Sequence, residues 1–327
     1  MGSWCEKEKP TTIDIAEYDH VKEKLKKRKT KVSSGPRRKH TKDLGVNLKE
    51  TGHERYDVLA YLPEHIQKLY YNTPSFKSIS TGKNSNLKEA PKLKDSKCTK
   101  VDEGFYQGGW NSVTKEKEGY GILVKSNGSW YEGFWQKDKP EGFGREIHVD
   151  GDIYEGGFKK GKFEGKGKYT GADKSIYEGE WKFGLQEGKG QYTWADGSTY
   201  DGEWKEGVKH GEGVFEWTDG STYKGTVRDN LFHGEGEYEW ANGAKYVGHY
   251  KKGLQHGNGI YTWVDGKKYE GHFLNDKKHG QGTLELENGD KYTGQWENGK
   301  MHGEIVIKVN GKTTKAYYED GVKIKDL

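Results

Sequence analysis

The chain contains little of what stabilises most small globular proteins. Its 327 residues include only two cysteines, Cys5 and Cys98, and six prolines; 30% of residues are hydrophobic and the mean hydropathy is -1.13. Two cysteines cannot build a disulfide scaffold, and their scarcity favours a reducing cytosolic compartment. No apolar stretch approaches the ~18 to 20 residues that a membrane span needs, and no secretory signal is recognised. A conventional globular core is therefore not expected.

Glycine and aromatic residues are abundant, but only in one part of the chain. Of the 49 glycines, 44 lie from Gly104 onward, together with ten of the eleven tryptophans. Charge divides the chain in a similar way, because residues 1–100 carry a net charge of +10 and the remainder carries −6. These shifts predict a basic arm over residues 1–103 and a glycine-rich and aromatic-rich array over residues 104–327.

The array repeats a short motif: an aromatic residue, any residue, glycine, any residue, and usually a second large apolar residue. The opening tyrosines are 23 residues apart, with Tyr106 as an outlying first copy: 131, 154, 177, 200, 223, 246, 269 and 292. A fixed short period indicates one structural unit stacked on itself. Tyr200, Gly202 and Trp204 share one parity and hence one sheet face, which predicts a strand with one dry side.

Short turn signals separate the predicted strands. Asp or Asn followed by glycine recurs at Asn127-Gly128, Asp150-Gly151, Asp196-Gly197, Asp219-Gly220, Asn242-Gly243, Asp265-Gly266 and Asn288-Gly289, which predicts type I′ hairpins. At Asp173-Lys174 the glycine is missing, so a longer or distorted hairpin is expected there. Each glycine after a tyrosine is expected to let a ring of the neighbouring strand lie over bare backbone, so a side chain at Gly202 should destabilise the fold.

The motif resembles the MORN repeat (membrane occupation and recognition nexus). The segment Tyr200-Asp-Gly202-Glu-Trp204, followed by Gly207 and His210-Gly211-Glu-Gly213, matches the repeat pattern, and the resemblance covers residues 104–321. It implies an all-β fold, an elongated single-layer antiparallel β-hairpin repeat array with a divergent C-terminal cap. The repeat-structural residues include Tyr131, Gly133, Trp135, Tyr177, Gly179, Trp181, Tyr200, Gly202, Trp204, Tyr292, Gly294 and Trp296.

The basic arm is predicted to be mostly extended, with short helices. Spaced apolar residues predict one helix from Thr11 to about Lys31 and a second one that starts at Pro63 and presents Ile66, Leu69 and Tyr70. Residues 21–42 hold eleven basic residues and one acid. The predicted contacts with an acidic partner are Lys22, Lys24, Lys26, Lys27, Arg28, Lys29, Arg37, Arg38 and Lys39.

Several partners suit such a block: acidic tubulin tails, anionic lipid, nucleic acid or an acidic neighbouring protein. A merely solvated run and a nuclear-import signal are alternatives. Gly2 and Cys5 resemble an acylation site, although Glu6 stands where the pattern needs Ser or Thr. Nucleic acid is disfavoured because the array is net acidic.

No residue pattern indicates catalysis or a cofactor. His210, His233, His256, His279 and His302 form a row one repeat apart, and Glu118, Glu141, Glu164 and Glu187 fill the same slot in earlier copies. Successive hairpins are ~10 Å apart, whereas zinc ligands lie ~2.0 to 2.1 Å from the metal. Neighbouring histidines therefore cannot share an ion, and a structural role at a turn is predicted, with no metal and no cofactor.

Two aromatic columns are either the core of the sheet or a binding surface. They comprise Tyr192, Phe215, Tyr238 and Tyr261, with Trp194, Trp217, Trp240 and Trp263. The resemblance implies a non-enzymatic scaffold of a large cytoskeletal assembly, as in the radial-spoke heads of the ciliary axoneme, with other proteins of the assembly as partners and self-association of arrays as a further option. The alternative function is a membrane-tethering module that binds anionic lipid.

Overall fold

A computed structural model of the protein describes residues 57–72, 93 and 96–327. Over these residues the chain forms a 3-10 helix (Asp57–Tyr61), one α-helix, α1 (Glu64–Asn72), and 21 β-strands. The predicted all-β hairpin array is therefore confirmed. Two compact units can be distinguished, one ending at Ala195 and one that contains residues 196–327.

The unit that ends at Ala195 contains both helices and nine strands in antiparallel hairpins. The strands are β1 (Thr99–Val101), β2 (Gly104–Trp110), β3 (Lys117–Lys125), β4 (Trp130–Gln136), β5 (Lys139–Ile147), β6 (Ile153–Lys159), β7 (Lys162–Thr170), β8 (Ile176–Lys182) and β9 (Leu185–Thr193).

The unit of residues 196–327 contains twelve strands, which are also antiparallel. They are β10 (Thr199–Lys205), β11 (Val208–Glu216), β12 (Thr222–Arg228), β13 (Leu231–Glu239), β14 (Lys245–Lys251), β15 (Leu254–Thr262), β16 (Lys268–Leu274), β17 (Lys277–Glu285), β18 (Lys291–Glu297), β19 (Lys300–Val309), β20 (Lys312–Glu319) and β21 (Val322–Asp326).

The turns correct the predicted turn type. At Asp219-Gly220 only the glycine has positive φ, +90°, so this connection is not a type I′ turn, which needs positive φ at both central residues. The type I′ pattern lies at the opposite hairpin end, where two-residue loops such as Glu206-Gly207 have φ of +50° and +82°. Within each unit, successive strands between β3 and β19 are thus joined by tight turns of two alternating kinds.

The hairpin at Asp173-Lys174 is neither longer nor distorted, so that prediction was wrong. Lys174 adopts a φ of +73°, the conformation that glycine takes in the other copies. The amide of Lys174 donates to Gly171 O at 2.9 Å, and Asp173 Oδ1 accepts from the amide of Ser175 at 3.0 Å. The carboxylate therefore stabilises a turn in which lysine replaces glycine.

The second predicted arm helix is confirmed as α1, and it packs on the array. Ile66 and Tyr70 of α1 are buried in a core with apolar side chains of β3 to β5. The core comprises Val58, Leu59, Leu62, Ile66, Tyr70, Leu93, Tyr120, Ile122, Val124, Trp130 and Ile147. The predicted helix from Thr11 to Lys31 and the basic block of residues 21–42 lie outside the described residues.

This packing corrects the prediction of a single dry face. Along β4, Trp130 alternates with Tyr131, so the two side chains lie on opposite faces of the sheet, yet both are buried. Over β3 to β5 the sheet therefore buries apolar residues on both sides, because α1 covers the face that carries charged residues elsewhere.

Candidate functional site: the aromatic face

The first residue of each motif forms the centre of one sheet face. Eight motif tyrosines, from Tyr106 to Tyr269, are at most 1% exposed. Each hydroxyl donates a hydrogen bond of 2.9 to 3.2 Å to the carbonyl three residues later in its own strand, as from Tyr200 to Glu203. Each ring therefore lies along its own strand with its polar end satisfied.

Paired glycines make room for these rings. Gly202 pairs with Gly213 across the hairpin, and a Cβ on Gly202 would lie 2.4 Å from the hydroxyl oxygen of Tyr200. A Cβ on Gly213 would lie 2.4 Å from a ring carbon of the same tyrosine. The predicted packing of rings over bare backbone is thus present, but the ring over Gly202 belongs to its own strand and not, as predicted, to the neighbouring one; only Gly213 is covered from the neighbouring strand.

The glycine that follows the His or Glu position of each repeat has a different structural role. Gly211 has a φ of +65°, and the register between β10 and β11 shifts between Gly202 and Glu203. This conformation is open to glycine at no steric cost and creates a β-bulge. The same conformation and shift recur in the other hairpins, for example at Gly280.

The fifth residue of the motif links neighbouring hairpins. The indole N–H groups of Trp135, Trp181 and Trp296 donate to the carbonyls of Gly121, Gly167 and Gly282, at 3.1, 3.1 and 3.2 Å. The Trp181 ring also meets the Tyr154 ring of the preceding hairpin edge-on, with centroids 5.3 Å apart. One tryptophan therefore connects two repeats through a hydrogen bond and an aromatic contact.

The last copy departs from this arrangement, as its sequence suggests. Ile305 occupies the position of the second paired glycine, opposite Gly294. Tyr292 is consequently only half-buried, whereas Trp296 remains buried. Beyond β19 the chain adds β20 and β21, and Ile305 of β19 forms a small core with Ala316 and Tyr318; that this end caps the array stays a prediction.

A second row of tryptophans lies at the margin of this face. Trp217, Trp240 and Trp263, here called the tryptophan row, follow the ends of β11, β13 and β15 and are half-buried. The rings of the inner column differ in burial, since Phe215 and Tyr238 are buried but Tyr261 is half-buried. The prediction of a core thus holds for Phe215 and Tyr238, whereas the tryptophan row remains accessible and its use as a binding surface stays a prediction.

The glutamates and histidines before the bulge glycine lie near turns. Glu141 and Glu164 accept hydrogen bonds from the amides of Lys160 and Phe183, at 2.9 and 3.1 Å, in the type I′ turn of the next hairpin. His210 Nδ1 lies 4.0 Å from Asp229 Oδ1, again in the next turn. Within the described ranges, no group of three or more His, Cys, Asp or Glu residues is arranged to hold a metal ion.

A buried charge cluster under α1 was missed by the sequence reasoning. Arg145 is fully buried and contacts Glu132 at 3.1 Å and Glu155 at 3.4 Å. Its guanidinium also lies 5.3 Å from the Trp130 ring and 5.8 Å from the Tyr70 ring. Burial raises the pKa of Glu155, and the charges of Glu132 and Glu155 outweigh burial and raise the pKa of Arg145. The sequence feature that could have indicated this cluster is the rarity of arginine in the array, where only Arg145 and Arg228 occur.

Burial also perturbs the motif tyrosines. Their removal from water raises the pKa of seven phenols above the ordinary value, chiefly because a phenolate would be poorly solvated there: Tyr106, Tyr131, Tyr154, Tyr200, Tyr223, Tyr246 and Tyr269. These phenols therefore stay protonated at neutral pH.

Two glycine substitutions separate packing from backbone strain. We expect Gly202→Ala to lower the free energy of unfolding by about 2 to 3 kcal/mol, because the methyl group overlaps the Tyr200 ring at an ordinary extended backbone. The matched control is Gly220→Ala, where φ is +90° and no atom lies within 4 Å, so only backbone strain of about 1 kcal/mol is expected. Urea unfolding of the full chain measures both, and equal losses would contradict the proposed role of the paired glycines.

The remaining predicted contacts cannot be placed on this surface. The arm residues Lys22, Lys24, Lys26, Lys27, Arg28, Lys29, Arg37, Arg38 and Lys39 lie outside the part of the chain that the structure describes.

Along the described ranges, no helix combines the length and the hydrophobicity needed to cross a bilayer.

Comparison with known proteins connects these observations to a family model. Eight consecutive segments match the model of the MORN repeat: residues 131–153, 154–176, 177–199, 200–222, 223–245, 246–268, 269–291 and 292–304. Together they span more than half of the chain. The copy at Tyr106 is not among the matched segments, although its tyrosine and its glycine pair, Gly108 and Gly121, adopt the same arrangement. No curated protein sequence matches the chain.

The solved structures that match the chain include two TCP domains, both with low scores. The TCP domain of Drosophila melanogaster SAS-4, in complex with a proline-rich motif of Ana2, is 15% identical; the match covers 48% of this chain and 85% of that chain, with a TM-score of 0.30. The TCP10 domain of Danio rerio CPAP is 11% identical; its match covers 63% and 98%, with a TM-score of 0.35.

Proposed function

The chain belongs to the MORN-repeat family, and from this premise we propose that it is a non-enzymatic scaffold protein of a large cytoskeletal assembly. The observation that carries the proposal is the construction of the aromatic face. Every repeat before the last copy buries its tyrosine over its own glycine pair, and ring contacts such as that between Tyr154 and Trp181 join neighbouring hairpins, so the array makes a sheet platform from very few apolar residues. A platform of this kind presents edges and rows of side chains to other proteins.

The finer proposal is that this assembly is the ciliary axoneme, with a role like that of radial-spoke-head arrays. The eight consecutive MORN repeats support it, because related arrays with many repeats occur in radial-spoke heads. The aromatic margin would bind neighbouring proteins, while the basic block of residues 21–42 would contact an acidic neighbour such as a tubulin tail. The protein would then be located in the cytoplasm, on the cytoskeleton of the cilium or flagellum.

The test is to localise a tagged full-length chain in ciliated cells and to identify its cross-linked neighbours by mass spectrometry. We expect detergent-resistant retention on axonemes and cross-links to axonemal proteins. A matched variant that lacks residues 21–42 should show weaker retention, because the electrostatic contact is lost. Complete release by detergent, or neighbours confined to a membrane compartment, would overturn the axonemal proposal.

A membrane-tethering module is the second candidate, and the charge of residues 21–42 favours it: eleven basic residues and one acid. Sedimentation with vesicles that contain phosphatidylserine distinguishes the two functions. Tethering predicts salt-sensitive binding that disappears when residues 21–42 are removed, whereas the scaffold proposal predicts no binding.

A further inference from the structure

The tryptophan row is continuous across three hairpins of one compact unit. The Trp217 ring contacts the Tyr238 ring of the next hairpin, with ring centroids 5.4 Å apart, and the Trp240 ring contacts the Tyr261 ring at 5.2 Å. The row therefore repeats the same contact from one hairpin to the next. All three tryptophans remain half-buried, in contrast to the fully buried motif tyrosines.

The indole N–H groups of the row have no hydrogen-bond acceptor among the residues that the structure describes. None of those of Trp217, Trp240 and Trp263 donates a hydrogen bond within the described residues, whereas the core tryptophan Trp135 donates to Gly121. An indole N–H is a donor only, so a partner of the row must present acceptors near the rings. A backbone whose carbonyl groups are not engaged in helix or sheet bonds meets that requirement.

The distance between successive tryptophans of the row indicates which backbone conformation a partner would have. Equivalent positions in successive hairpins are separated by two strands, which corresponds to ~9.4 to 9.8 Å. A polyproline II helix advances ~9.3 Å in each turn of three residues and leaves its carbonyl groups free. An α-helix advances ~5.4 Å per turn, which does not match. We propose that the tryptophan row binds a proline-rich segment in polyproline II conformation, with one turn of the ligand per hairpin.

Charge adds a second property of the ligand. The segments 214–222, 237–245 and 260–268, which carry the row, contain five acidic and three basic residues. All three lysines are already in ion pairs, Lys245 with Glu237, Lys267 with Asp265 and Lys268 with Glu270. Glu216, Asp219 and Glu239 form no ion pair within the described part of the chain. Lys278 Nζ lies 5.1 Å from the centre of the Trp263 ring, so these acids flank only Trp217 and Trp240. The ligand should therefore carry Arg or Lys beside those two rings.

This inference rests on the proposed scaffold function, since it names the ligand class of the aromatic margin. Aromatic residues with a nearby hydrogen-bond donor recognise proline-rich segments because the ligand is already ordered and loses little entropy on binding. Proline rings would pack on the indole faces, and the ligand carbonyl groups would accept from the indole N–H groups.

The test uses the full chain and a fluorescent peptide of four Pro-Pro-Arg triplets, followed by anisotropy. A peptide of this size spans ~37 Å, which is longer than the ~19 Å between the first and last tryptophan of the row. The control peptide contains four Gly-Ser-Arg triplets, which carry the same charge but do not form polyproline II. We expect saturable binding of the first peptide and at least about tenfold weaker binding of the second.

Variants on the protein assign the site. Trp240→Ala should weaken binding of the proline-rich peptide about tenfold or more, because it removes the central ring of the row. The matched control is Trp110→Ala, a tryptophan that is 39% exposed but lies outside the row, and it should leave binding unchanged. Trp240→Phe keeps a ring but removes the donor, so it should give a smaller loss and serves if the alanine variant does not fold.

Three outcomes would overturn the inference: no binding of the proline-rich peptide, equal binding of both peptides, or wild-type affinity in both folded Trp240 variants. Equal binding would indicate charge attraction alone. None of these outcomes affects the scaffold proposal, which depends on where the full chain is retained and on its neighbours in cells.

Discussion

Arg145→Met is expected to lower the free energy of unfolding by about 3 to 5 kcal/mol, although methionine is close to arginine in length and packs well. The reason is that Glu132, 2% exposed, would lose the guanidinium that lies 3.1 Å from its carboxylate. A buried carboxylate without its cation is costly to retain in an apolar surrounding. Urea unfolding of the full chain measures the loss.

The matched control is Arg228→Met. The Arg228 side chain is 62% exposed, and its nitrogen lies 3.9 Å from Asp229, so its removal should change stability by less than about 0.5 kcal/mol. The double variant Arg145→Met with Glu132→Gln should recover part of the loss, since it removes the isolated charge. An Arg145→Met variant as stable as the Arg228→Met control would show that the cluster does not stabilise the contact between α1 and the sheet.

The repeated part of the fold was predictable because its determinants are local. Tyrosine, glycine and tryptophan at alternating positions define one face of a strand wherever they recur, and the structure confirms this for Tyr200, Gly202 and Trp204. The turn type was not predictable in the same way. An Asp-Gly pair fits both a type I′ turn and a turn in which only glycine has positive φ, and the sign of φ at Asp219 distinguishes the two.

The contact between α1 and the array depends on residues far apart in sequence. The prediction found the helix from the spacing of Ile66 and Tyr70, but nothing local shows which surface covers them. The available signal was the apolar side chain of Trp130 at a position that is polar in most copies. The aromatic columns were recognised as one group, and only the side-chain burial separates the buried Phe215 from the half-buried Trp217.

Alkaline pH is expected to unfold the array steeply. The pKa of seven motif tyrosines is raised in the folded state by burial, whereas the same groups in the unfolded chain ionise near their ordinary value of about 10. Below that pH their contribution to stability is complete. Above it the unfolded chain loses protons first, so stability falls by about 1.4 kcal/mol per pH unit for each such tyrosine. Seven groups acting together would make this the largest effect expected.

A single alkaline titration of the full chain, which records phenolate absorbance and strand circular dichroism together, tests whether the tyrosines form the core of the array. Tyrosines of an unfolded chain ionise near pH ~10, which sets the reference for the titration. The account predicts that the seven buried motif phenols ionise only as the strand signal disappears. Reversible ionisation of all 22 tyrosines near that pH, with the strand signal intact, would contradict it.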